Sequence, residues 1–81
     1  MQRWKILARH HWVVGAVITE SCRVGDEGYR RFTATIRGSR NWKIWQGRTP
    51  PAERIMRRVQ EIRDRIDAGD ESVWTEDNTV T

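Results

Sequence analysis

The chain of 81 residues holds one cysteine, two prolines, two lysines, one phenylalanine and one tyrosine. A lone Cys22 cannot close an internal disulfide, so nothing ties the fold to an oxidising compartment, and a reducing cytoplasm is the expected setting. No apolar run approaches the roughly 20 residues of a membrane span, so no membrane partner is expected. Arg3, Lys5 and Arg9 ahead of the apolar run 12–18, with Cys22 behind it, loosely outline a lipoprotein leader. Two histidines and Trp4 interrupt the charged start, however, and Thr19, Glu20 and Ser21 are the wrong residues before a cleaved cysteine, so the segment reads as mature structure. Catalytic patterns are equally scarce. His10 and His11 are adjacent, no cysteine or acid stands at metal-cage spacing, and no glycine pattern outlines a phosphate loop. No motif frames Cys22 as a nucleophile. The expectation is a non-enzymatic protein with no cofactor and no metal.

What is present is tryptophan, five of them, and arginine, thirteen of the fifteen cations. Guanidinium presents a rigid fork suited to phosphate and carboxylate, and it stacks on aromatic rings. The charge is unevenly placed. Residues 1–48 carry +7, residues 49–69 carry +1, and residues 70–81 carry −4 with no cation at all. An anionic partner is favoured, although a basic surface also serves solubility alone. A chain this short forms one domain and buries only about 60% of its unfolded surface. Residues 1–69 are expected to be that domain and 70–81 an acidic, mobile tail, from which Val73 and Trp74 are the residues able to dock.

Periodicity supplies the elements. Ala52, Ile55, Val59, Ile62 and Ile66 recur at spacings of three and four, widened by Met56, and predict a helix over 51–68. Thr49 before Pro50 and Pro51 suits its start, and Gly69 its exit. Residues 31–37 alternate instead, with Phe32, Ala34 and Ile36 on one side and Arg31, Thr33, Thr35 and Arg37 on the other, which predicts a half-buried strand. Residues 12–19 predict a more buried strand, joined to the first through the turn 25–28, and 41–46 a third strand after the turn 38–40. Residues 3–8 fit either a fourth strand or a helical turn, and strand is preferred. The fold class is α+β: a three- or four-stranded antiparallel sheet with one C-terminal amphipathic helix packed on one face.

That packing leaves the other sheet face open. With Phe32, Ala34 and Ile36 inward, Tyr29, Arg31 and Arg37 point outward. In the next strand, alternation places Trp42 and Ile44 inward against Ile36 and the helix stripe, and Lys43 and Trp45 outward. Cations, threonine hydroxyls and an aromatic ring then share one surface, a mixture suited to nucleic acid. The candidate contact residues are Tyr29, Arg31, Arg37, Arg40, Lys43 and Trp45. Arg54, Arg58 and Arg65 form a secondary basic flank on the helix. A ladder of Glu53, Arg57, Glu61 and Arg65 at i, i+4 spacing accounts for the helix charges more simply.

Ala34, Ile36 and Arg37, then Trp45 and Gly47, then Ala52 and Glu53 carry a family likeness. Residues 29–66 resemble the DNA-binding domain of plant ethylene-response factors and the arm-binding domain of phage integrases. The resemblance implies a three-stranded sheet laid in the major groove, with Arg31, Arg37, Arg40 and Lys43 on DNA. The arginine-rich opening strand of those families is not reproduced upstream. The expected function is therefore a small binding module for nucleic acid, duplex DNA first. The alternative is a phage or mobile-element inhibitor of the anti-CRISPR type that occupies a host protein or nucleoprotein complex, since arginine, tryptophan and tyrosine also anchor protein interfaces. A homodimer through an exposed strand edge is a third possibility.

Overall fold

The structure, a computed structural model, describes residues 2–38 and 42–81. Its elements run β1 (Trp4–His11), β2 (Ala16–Arg23), β3 (Asp26–Ile36), β4 (Lys43–Gly47), α1 (Ala52–Asp67) and a short 3-10 turn (Glu71–Trp74). The four strands form one antiparallel sheet in sequence order. This is the α+β arrangement expected, with residues 3–8 falling on a strand.

Tight turns set the order, because short links only allow neighbours to pair. Residues 12–15 make the first turn: the Trp12 amide donates to the Ala16 carbonyl and the Gly15 amide to the Trp12 carbonyl, both at 2.9 Å. The second strand thus starts at residue 16, not 12, and Val13 sits fully exposed in the turn. The second turn is Val24 and Gly25, so Asp26 and Glu27, expected in a loop, already belong to β3. Gly15 has a φ of 98°, and a side chain there would also collide with the Arg63 guanidinium. Arg63 reaches from the helix to donate to the carbonyls of Gly15 (3.2 Å) and Arg37 (3.3 Å), tying two strand connections to α1.

Ala16, Ile18, Ala34, Ile36 and Ile44 supply the sheet side of the core, and Ile55, Val59 and Ile62 the helix side. Each fully buried isoleucine or valine contributes about 1.5–3 kcal/mol over its exposed state. The helix stripe is narrower than its sequence pattern, since Ala52 and Met56 lie at the exposed margin. Its cap position is Pro51, with no side-chain cap hydrogen bond. Thr49 stands two residues too early to serve there.

The break in alternation that alters the expected face lies in β4. Ala34 pairs with Trp45 and Thr35 with Lys43, so the ladder shifts by one residue across Ile44. Such a bulge puts two successive side chains on the same face. Ile44 is wholly buried, and Trp45, expected to point outward, is half-buried and packed against the core on the helix side. Its ring lies so close over Gly47 that a Cβ there would fall 2.7 Å from it. Trp42 packs against the core as expected.

Residues 70–81, set apart above as a tail, lie against the body. Val73 is fully buried, and Asn78 and Val80 nearly so. The Asn78 side-chain amide donates to the Val73 carbonyl at 3.0 Å, and the Val80 amide donates to the Ile44 carbonyl at 2.8 Å, covering part of the β4 edge. Trp74 stacks on Trp42 with centroids 5.0 Å apart. The molecule measures 45 × 25 × 22 Å. None of residues 22–31 belongs to the core cluster formed with the helix.

Candidate nucleic-acid interface

Directly paired residues of an antiparallel sheet share a face. The register of β1, β2 and β3 therefore assembles the outward face from Trp4, Ile6 and Arg9, then Val17, Thr19 and Ser21, then Arg31, Thr33 and Thr35. A bulge between Ile6 and Ala8 restores this alignment in β1. Sheet twist makes the face concave. The hollow has a volume of about 650 Å³, and Arg9, Arg31 and Arg37 line it together with four hydroxyl side chains, Thr19, Ser21, Thr33 and Thr35. Among the described residues no carboxylate lines it.

The candidate residues separate into three groups. Arg31, Arg37 and Tyr29 are on this face, and Lys43 continues it on β4 opposite Thr35. Arg37 is exposed and donates through Nη2 to the Trp12 carbonyl at 3.3 Å, which fixes it at the rim. The Lys43 ammonium donates to the Gln46 side chain at 3.1 Å. Trp45 is on the opposite face, for the reason given above. Arg40 lies outside the described residues.

The aromatic part of the face is different from the one expected. Trp4 and Tyr29 stand 5.9 Å apart, and arginines cover them: Arg31 at 3.8 Å from the Trp4 centroid, Arg23 and Arg48 at 4.0 and 4.7 Å from that of Tyr29. Trp4, Arg9, Arg23 and Arg48 are not among the contact residues expected from the sequence, because they come from three segments that only the strand register brings together. The signal available beforehand was the arginine and aromatic content itself.

The helix flank behaves otherwise. Arg54 donates to the Thr81 carbonyl and Arg58 to that of Thr79 at 3.5 Å, and Arg58 also forms an ion pair with Glu61 at 3.4 Å. Arg65 grips Asp70 at 2.8 Å and Glu76 at 2.6 Å, and also donates to the Ser72 hydroxyl. The secondary basic flank is thus the dock for the chain's own acidic segment, and Arg65 bonds there instead of completing the predicted ladder with Glu61. The Ser72 hydroxyl, the Arg65 guanidinium and the Ser72 amide hold Asp70 down at about 2, and Arg65 first of all lowers Glu76. Both carboxylates in turn raise Arg65.

On the helix-side face, Glu20 forms an ion pair with Arg30 at 3.3 Å, with His10 3.8 Å away. Among the described residues no group of three His, Cys, Asp or Glu side chains is placed to hold a metal ion. No helix there is long and apolar enough to cross a membrane. Comparison with protein-family models, curated proteins and solved structures gives no match to the chain.

Proposed function

We propose that the protein is a non-enzymatic binding module that engages nucleic acid, duplex DNA first, through the outward face of its sheet. The observation that carries this reading is the hollow lined by Arg9, Arg31, Arg37 and four hydroxyls with no carboxylate. Arginine neutralises phosphate, hydroxyls donate to phosphate oxygens, and neither contact depends on sequence. The resemblance of residues 29–66 to sheet-based DNA-binding domains supports the same face, with Arg31, Arg37 and Lys43 toward the groove.

Titration of a generic duplex tests it. Binding in the micromolar range is expected at low salt, falling steeply as salt is added, because each neutralised phosphate releases counterions. Absence of binding at low salt removes this reading and leaves a protein or nucleoprotein surface as the partner of the face.

A further inference from the structure

Beyond the central hollow, the end of the sheet near the β2–β3 turn carries a second concavity, of about 280 Å³, bordered by Trp4, Tyr29 and four arginines, Arg23, Arg30, Arg31 and Arg48, of which Arg30 is paired with Glu20 at 3.3 Å. The other three guanidiniums stack on two rings, so their positions are set before any ligand arrives. Stacking shields the Nε of Arg23 and of Arg31 from solvent without giving either a hydrogen-bond partner. An unmet buried donor is costly. Among the described residues no carboxylate lies within ion-pair distance of Arg23, Arg31 or Arg48. Asp26 and Glu27 are close in sequence but do not border the concavity. Arg30 has Glu20, but the other three cations, held together on an aromatic platform with no acid partner among the described residues, leave charge for a ligand to balance.

We propose that this concavity is a phosphate-binding site, in which Arg23, Arg31 and Arg48 hold the phosphate oxygens and Trp4 and Tyr29 fix the guanidinium planes. The two rings are already occupied by arginine, so they serve as platforms for cations and not as stacking surfaces for bases. The site takes a phosphate group, supplied either by a backbone diester or by a terminal or free monoester. It rests on the proposed function only for the source of that phosphate.

The test is a titration of the intact protein with inorganic phosphate at constant ionic strength, followed by proton–nitrogen NMR of the arginine Nε–H groups. Saturable shifts are expected for Arg23 and Arg31 and none for Arg54. Uniform, non-saturating drift of all arginines, or no shift, overturns the site. Arg31→Lys keeps the charge but loses the fork, and Trp4→Leu keeps every charge but loses the platform. Each is expected to bind phosphate about tenfold more weakly, the cost of about one charge-assisted hydrogen bond. Wild-type affinity in a folded variant of either kind reduces the site to diffuse charge and overturns it; Arg31→Lys, with both rings kept, decides if Trp4→Leu does not fold.

Blunt duplexes with and without a 5′-phosphate distinguish the sources: tighter binding of the phosphorylated end supports a monoester, and equal binding weakened alike by Arg31→Lys supports the diester. Phosphate saturation without any duplex binding supports the site while removing the nucleic-acid reading. Duplex binding without phosphate saturation overturns the site and leaves that reading standing.

Discussion

Two sets of arginines on this small protein live under opposite conditions. On the helix flank, Arg54, Arg58 and Arg65 are spent on the chain itself: carbonyls of residues 79 and 81, and the carboxylates of Asp70 and Glu76. On the outward sheet face, Arg9, Arg23, Arg31 and Arg48 have hydroxyls and rings around them and no acid. The residue type is the same, and the surroundings decide what it does. Two of the four acids of residues 70–81, Asp70 and Glu76, are bonded to the helix flank, and no residue of that segment lines the outward hollow.

The strongest way to break this contrast is charge reversal on the sheet face. Arg31→Glu, Arg37→Glu and Lys43→Glu together are expected to weaken duplex binding at least about a hundredfold, while circular dichroism stays that of the wild type. The equivalent reversal of Arg54 and Arg58 is expected to change duplex affinity only a few-fold and to loosen residues 79–81, seen as faster amide exchange at Val80.

The docked segment can be tested by its anchor. Val73 is fully buried, so Val73→Ala should cost about 2 kcal/mol in denaturant unfolding. Duplex affinity should not change, because no residue of 70–81 lines the outward hollow.

Acid should loosen the Arg65 clamp on the flank. Asp70 titrates at about 2 in the folded chain against an ordinary 3.8, and Glu76 is also lowered. A carboxylate depressed by folding stabilises above its ordinary value, and that stabilisation fades as pH falls through the folded value. The Arg65 clamp should therefore hold above about pH 4 and release toward about pH 2, read from the Trp42–Trp74 pair by fluorescence. Arg65→Gln should flatten this transition.

Element order, the single helix and its buried positions Ile55, Val59 and Ile62 were legible in the sequence, because period two and period 3.6 report directly which side chains are covered. Tyr29, Arg31, Arg37 and Lys43 fell on the expected face for the same reason. Trp45 did not, because a one-residue bulge inverts every later assignment in a strand and leaves no trace in hydropathy. Gly47, two residues on, was the only hint: it is where the ring needs room. The Trp4, Arg23 and Arg48 cluster was invisible for another reason, since cross-strand neighbours depend on register and not on spacing. The docking of residues 70–81 was legible only at Val73 and Trp74, the two residues expected to be able to dock; the contacts of Asn78 and Val80 were hidden because the polarity around them suggested solvent.

The most direct measurement is the salt dependence of duplex binding for three proteins side by side: the wild type, the Arg31, Arg37 and Lys43 reversal, and the Arg54 and Arg58 reversal. Steep salt dependence in the wild type and in the helix-flank variant, with binding lost in the sheet-face variant, is the predicted result. Binding that survives reversal of the sheet face but vanishes with the helix flank would contradict the account.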